Sequence, residues 1–182
     1  GWGIKIDDFI NMVDDKIMSE HGVSPVLKDV RNGAIKFEML KYNTFQDIVF
    51  DLDTALNIKG FSGPYIQYTY ARTSSIIEKS DFVGVGDYVF HPNLEDKERE
   101  VLRCLYKFPE IVERSAASFA PNLVCNYLFE LCQHYNQLYN DLPILNASEE
   151  SQREFRTLLT FGVKQILKSG LFLLGIDAPD RM

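Results

Sequence analysis

The sequence predicts an all-α protein, in which a helical bundle follows a short and mostly helical connector. Two observations carry this prediction. Apolar residues recur at the three- and four-residue spacing of amphipathic helices along most of the chain after residue 51. A chain of 182 residues with 46% hydrophobic and 25% charged content has the composition of a globular protein that buries a substantial core. The helical segments expected in the bundle are 64–79, 95–107, 109–119, 121–140 and 150–169.

The first part of the chain, 1–54, carries weaker signals. Residues 6–21 place apolar side chains on one helical face, with acidic residues near the start, where the helix dipole favours them. Residues 26–42 are also helical in pattern, but Asn32-Gly33 is a turn or close-approach signal, so we expect two short helices there. The run 46–51 is short, β-branched and bounded by polar residues, and it predicts a strand.

Charge and residue content exclude several classes of protein. The formal net charge is -7, so no overall basic field draws nucleic acid to the surface, and any such site must be a local patch. Cys104, Cys125 and Cys132 form no CxxC pair and the three histidines are scattered, which predicts neither a disulfide nor a metal site. No apolar run reaches the roughly 18 to 20 residues of a membrane span. We therefore expect a cytoplasmic protein without a membrane segment.

The predicted helix at 64–79 presents the first candidate binding surface. Ser62 can cap it and Pro64 fits its first turn, where the missing N–H costs nothing. Projected at about 100° per residue, Tyr68, Arg72 and Lys79 lie together, opposite the apolar arc. A tyrosine beside an arginine offers a stacking surface and a cation, as an unstacked RNA base and its phosphate require. A tyrosine and an arginine that pack against each other without binding a ligand would give the same pattern. Both interpretations therefore remain open.

The last predicted helix presents a second candidate. Arg153, Arg156, Lys164 and Lys168 share an arc opposite the apolar one, which makes a basic stripe in an acidic chain. A solvated face that complements the helix dipole explains the same residues equally well. At the end of 121–140, Tyr139 is expected at the edge of the bundle, with its ring partly packed.

Motifs for catalysis are missing from the sequence. There is no GxSxG, no GxxxxGK[ST] and no HExxH, and the Gly84-Val-Gly86 segment in the predicted loop 81–92 lacks the third glycine of a dinucleotide fingerprint. Adjacent acidic residues such as Asp14-Asp15 point apart on a helix. The pattern therefore favours a binding protein over an enzyme.

Four sequence strings are similar to one family. GPYIQYTYAR at 63–72 resembles the GPYxQYxxxR stretch that opens the C-terminal helical domain of arginyl-tRNA synthetases, and KQILKSGLFLLGIDAPDRM at 164–182 resembles the VLKxGLxLLGIxxPERM with which that family closes. Between them, 108–114 matches the family's FPEVVERA and 136–139 its FNxFY. One departure is the DALR-like motif, which here reads Leu159-Thr-Phe-Gly162. Ahead of these four strings, 32–37 followed by 47–51 is similar to the GAVKY…DxxFD run that leads out of the family's catalytic domain. The resemblance therefore covers essentially the whole chain, but only the back part of the family's length.

The resemblance implies a division into the tail of a catalytic domain, 1–54, and an all-helical anticodon-binding domain, 55–182. It implies that the partner is arginine tRNA, which the chain contacts at the anticodon loop, and that the chain does not bind DNA. It also implies that the chain is a monomer. The parent enzyme joins arginine to tRNA with ATP and magnesium. The HIGH-type and KMSK-type signatures are missing here, so we expect no cofactor and no arginine activation in this chain.

By position, the resemblance implies that Tyr68, Arg72, Tyr139 and Met182 contact the anticodon loop. Lys79, Arg156 and Lys164 complete the set of expected tRNA-binding residues, because they extend the two basic surfaces. The alternative function is a non-catalytic helical module that binds protein. An exposed apolar patch in place of the Tyr68–Arg72 surface would indicate that alternative.

Overall fold

The computed structural model describes residues 4–80, 82, 84 and 93–182, and these form a helical protein. Within those ranges there are seven helices and no strand. The helices are α1 Ile6–His21, α2 Leu27–Leu40, α3 Leu52–Leu56, α4 Gly63–Glu78, α5 Asp96–Ser118, α6 Asn122–Asp141 and α7 Glu150–Leu173. The predicted fold class is confirmed. Most of the segment 81–92 lies outside the described residues.

Three local predictions are wrong. Residues 46–51 form neither a strand nor a helix. A single helix, α2, runs through Asn32 and Gly33, and a single helix, α5, runs through Pro109. Helix α5 packs against α6, and it contributes to the core on both sides of this proline, with Val101 before it and Ile111 after it. Tertiary packing of this kind supplies most of a helix's stability and outweighs the local breaker.

Gly33 marks a close approach between helices instead of a turn. A Cβ atom on Gly63 at the start of α4 would collide with the carbonyl oxygen of Gly33, and one on Gly33 would collide with the side chain of Gln67. Only glycine lets the two backbones approach this closely. The contact fixes α4 against α2, and through it the helix that carries the candidate site.

The core consists of two clusters. The smaller one, around Val13, Ile17 and Ala34, lies among α1, α2 and α3. The larger one fills the bundle of α4 to α7 and is centred on fully buried residues such as Tyr135 and Leu167. Ser62 caps α4 as expected, its hydroxyl oxygen accepting the N–H of Tyr65 at 3.2 Å.

Candidate nucleic-acid interface

A surface groove lies where the C-terminal half of α4, the end of α6 and the last residues of the chain meet. Its cavity volume is about 450 Å³. Five of the predicted site residues line it together with an arginine that the sequence patterns did not single out: Tyr68, Arg72, Lys79, Tyr139, Arg181 and Met182. The structure therefore brings into one groove residues that are up to 114 positions apart in the sequence, counted from 68 to 182.

The guanidinium of Arg72 is the centre of the groove. Its Cζ atom lies 5.0 Å from the ring centre of Tyr68, one turn earlier on α4, and 4.6 Å from that of Tyr139 on α6. Both distances are within the range of a cation–π contact. Tyr68 and Tyr139 remain 39% and 41% exposed. Two aromatic surfaces are thus held beside a cation and open to solvent.

Asn136 fixes the orientation of Arg72. Its side-chain oxygen accepts a hydrogen bond from Nη1 of Arg72, while its Nδ2 donates to the Tyr65 hydroxyl at 3.0 Å and to Oγ1 of Thr69 at 3.1 Å. These bonds determine which end of the amide carries the oxygen. One of the five guanidinium N–H donors is used in this contact. The sequence patterns did not assign a role to Asn136, although it lies one turn before Tyr139 on α6.

The C-terminal tail is anchored beside this groove by Asp180. Its carboxylate accepts hydrogen bonds from the hydroxyls of Ser74 at 2.8 Å and Tyr70 at 3.1 Å, and Nζ of Lys164 lies 3.3 Å away. The hydrogen bond from Ser74, opposed in part by desolvation, lowers the pKa of Asp180 below its usual 3.8. Buried Gln67 donates to the carbonyl of Asp177 at 2.9 Å. The tail therefore reaches the groove in a defined position.

The end of the tail supplies both an apolar and a charged group. Met182 is 44% exposed at the mouth of the groove. The guanidinium of Arg181 forms an ion pair with Glu78 at 2.6 Å, which ties the tail to the last turn of α4. Both side chains of this pair are mostly exposed, so the contact contributes little to stability.

The predicted basic stripe on α7 does not exist as a solvated surface. Arg156 is 3% exposed, so its predicted position on an open basic face is wrong. Its Nε donates to Glu98 at 2.7 Å and its Nη1 to the carbonyl of Pro143 at 2.8 Å. Lys164 is half-buried and belongs to the anchor of the tail, with its Nζ 5.6 Å from the ring centre of Tyr70. Only Arg153 and Lys168 of the four stripe residues are exposed.

Two further structural findings bear on function. No helix within the described ranges is long and apolar enough to cross a membrane. The three cysteines are unpaired and buried.

The bundle that carries this groove belongs to a known family of domains. A family model described as "DALR anticodon binding domain" matches residues 66–182, and the chain belongs to this family. Relatives that match nearly the whole chain include arginine–tRNA ligases, which confirms the resemblance drawn from the sequence strings. The chain is 36% identical, over 99% of its length, to the arginine–tRNA ligase of Pyrococcus abyssi, and 37% identical, over 91%, to that of Pyrococcus furiosus.

Solved structures of arginyl-tRNA synthetases have the same fold as this chain. The Thermus thermophilus arginyl-tRNA synthetase matches 99% of this chain with a TM-score of 0.89 and 30% identity. The Plasmodium falciparum arginyl-tRNA synthetase matches 98% with a TM-score of 0.83 at 22% identity, which supports the fold alone. This chain spans 31% and 27% of the two Pyrococcus proteins and 32% of the Thermus chain. The similarity thus concerns roughly a third of each relative.

Proposed function

We propose that this chain binds the anticodon arm of arginine tRNA, as the anticodon-binding part of an arginyl-tRNA synthetase. The observation that carries the proposal is the position of Arg72, held between two partly exposed tyrosine rings in a groove that the C-terminal methionine also lines. Aminoacylation with ATP and magnesium would belong to the whole enzyme, and this chain would contribute the recognition of tRNA.

The chemistry of the groove suits a single-stranded loop. Unstacked bases bind to proteins by stacking on aromatic rings and by hydrogen bonds to their edges. Tyr68 and Tyr139 supply the rings, Arg72 and Lys79 supply cations, and Met182 supplies a flexible apolar contact at the mouth. Each stacked base contributes about 1–3 kcal/mol. This local set of groups accounts for RNA binding by a chain whose net charge is -7.

The other predicted residues support the groove indirectly. We propose that Lys164 acts by holding Asp180, and thereby the tail that carries Met182, instead of by contacting phosphates. Arg156 is assigned no contact with tRNA because its charge is enclosed and paired.

We also propose that the protein acts as a monomer in the cytoplasm. The groove is built from one chain, with contributions from α4, α6 and the tail. The three cysteines remain unpaired, as a reducing compartment requires.

The test is a binding titration with arginine tRNA and with the same tRNA carrying replaced anticodon bases, at low and moderate salt. We expect tighter binding to the intact anticodon, and weaker binding as salt increases. The variant Arg72→Met should lose this preference. The matched control is Arg114→Met, an exposed arginine beside the α5–α6 turn, at the opposite end of α6 from Tyr139.

Two outcomes would overturn the proposal: equal binding to both RNAs, or equal effects of the two arginine variants. No binding to either RNA would instead direct attention to the alternative, a protein-binding module. The apolar strip around exposed Tyr106 on α5 is the surface that such a module would use. The relatives, which are tRNA ligases, do not favour that alternative.

A further inference from the structure

A second polar cluster lies between α5 and α6, where buried Cys104 at the edge of the core meets side chains that are partly exposed. Each helix contributes two side chains spaced one turn apart: Glu100 and Cys104 on α5, and Glu130 and His134 on α6. Residues at this spacing lie on the same face of a helix. The packed pair of helices therefore brings four groups with metal-binding chemistry into one place.

The distances within this cluster are short. Oε1 of Glu130 lies 4.0 Å from Sγ of Cys104 and 3.8 Å from Nε2 of His134. The ligand atoms of these three residues all lie within 4.8 Å of one another. On the other side of the imidazole, Nδ1 of His134 lies 3.3 Å from Oε2 of Glu100.

We propose that Cys104, Glu130 and His134 form a binding site for Zn²⁺ between α5 and α6. Thiolate, carboxylate and imidazole are the three ligand types that zinc takes in proteins, and three protein ligands leave the fourth tetrahedral position to water. Sequence spacing gave no signal for this site, and the sequence predicted no metal, because 26 residues separate Cys104 from Glu130.

The three ligand atoms lie within 4.8 Å of one another, so the side chains must move closer together to bind zinc. Tetrahedral zinc with ligand distances of about 2.0–2.3 Å places its ligand atoms roughly 3.3–3.6 Å apart. The distances from Glu130 to the other two ligands exceed that range by a few tenths of an ångström. Side chains of Glu130 and His134 are 52% and 29% exposed, so they have room to move, whereas Cys104 is buried and provides the fixed point.

Glu100 has a separate role in this proposal. Zinc-bound histidines usually donate their second ring N–H to a carboxylate or carbonyl, which fixes the tautomer and the orientation of the ring. Nδ1 of His134 is enclosed and makes no hydrogen bond of good geometry within the described part of the chain, while Glu100 lies beside it. A small rotation of the ring allows Nδ1–H to donate to Glu100 and directs the Nε2 lone pair to the metal. Glu100 is thus a positioning residue.

Zinc binding requires the Cys104 thiol to lose its proton. Burial, and secondarily the charge of Glu130, raise the pKa of the Cys104 thiol to about 11, so the free thiol is protonated at neutral pH. When zinc binds, the Zn–S bond replaces the S–H bond and the proton passes to the buffer. The bound metal would join α5 to α6 and stabilise the folded chain in proportion to its occupancy.

The proposal is tested by titrating the chain with Co²⁺, whose bond to a thiolate gives a characteristic absorption band, followed by displacement with Zn²⁺. We expect one bound metal per chain and loss of the thiolate band in Cys104→Ser. Cys125 and Cys132 belong to no cluster of three metal-binding side chains within the described residues, so they should not give the band. Glu100→Gln should weaken binding by about 10- to 100-fold without abolishing the band, whereas the exposed control Glu113→Gln on α5 should leave affinity unchanged.

Circular dichroism of the metal-free variants verifies that each one folds. His134→Gln, which removes a ligand at the surface, gives a second measurement if Cys104→Ser fails to fold, and it should weaken binding more than Glu100→Gln. The proposal is overturned if the folded wild-type chain shows no thiolate band, or if His134→Gln and Glu113→Gln bind Co²⁺ equally well.

Discussion

Two arginines that the same helical projection placed on polar faces have opposite environments in the structure. Arg72 on α4 is half-buried and lies between two tyrosine rings in an open groove. Arg156 on α7 is 3% exposed and is bonded to Glu98 and to the carbonyl of Pro143. One polar face meets solvent and the other meets the start of α5.

The difference lies in what covers each helix. Glu98 serves two partners, because its Oε1 accepts from Arg156 and its Oε2 accepts the backbone N–H of Glu95 in a capping box. Arg156 therefore connects α7 to the N-terminus of α5 and to the loop after α6. The comparison teaches that an arginine on a polar arc is available to a ligand only where no other element completes its hydrogen bonds.

Substituting the two arginines should have its largest effect on the stability of the fold. Removing one partner of a buried ion pair leaves the other charge unpaired, which costs about 3–5 kcal/mol. We expect Arg156→Met to lower the free energy of unfolding by that amount. Arg72→Met should lower it by less than about 1 kcal/mol, because its contacts are partly solvated. Urea unfolding of both variants measures the difference.

A double variant sharpens this result. With Glu98→Met and Arg156→Met together, no buried charge is left unpaired, so much of the lost stability should return. Recovery should be incomplete because the capping box at Glu95 is lost. Equal losses in Arg72→Met and Arg156→Met would show that the two environments do not differ in the way the structure indicates.

The next effect concerns the affinity for RNA. Lysine keeps the charge of Arg72 but loses the planar guanidinium that lies against the two rings and bonds to Asn136. If stacking and orientation matter, Arg72→Lys should weaken binding of arginine tRNA by about five- to tenfold, which is roughly 1–1.4 kcal/mol. Titration at fixed salt measures this, with Lys168→Arg, at an exposed position of α7, as the control. Full affinity in Arg72→Lys would mean that charge alone suffices.

The sequence predicted the fold class from local pattern and most of the groove from the family resemblance. Helical periodicity predicted the bundle. The resemblance identified Tyr68, Tyr139 and Met182, which line one groove in the structure. The sequence could not predict that Arg156 is buried, because its environment depends on Glu98, which is 58 residues away in the chain. The continuous helices through Gly33 and Pro109 have the same explanation, because long-range packing determines the conformation there.

A smaller effect is expected at Asn136, which the sequence patterns did not identify. Asn136→Ala removes the acceptor that orients Arg72 and two hydrogen bonds to α4. Freed from this partner, Arg72 must be ordered when RNA binds, and affinity should fall roughly two- to fivefold, about 0.5–1 kcal/mol. The neighbouring exposed residue supplies the control, Gln137→Ala. If the two variants bind RNA alike, Asn136 does not position Arg72.

The smallest effect is the pH dependence of the tail anchor. Because the folded state lowers the pKa of Asp180 below its usual 3.8, the stabilisation from its ionised form is present above that value. It is lost as pH falls through the lower, folded pKa. Asp180→Asn lacks this ionised group. The stability difference between wild type and Asp180→Asn should therefore be constant from neutral pH to about pH 5 and shrink below that. Thermal unfolding across this range measures it, and a difference that stays constant down to pH 3 would show that the carboxylate of Asp180 does not anchor the tail through its charge.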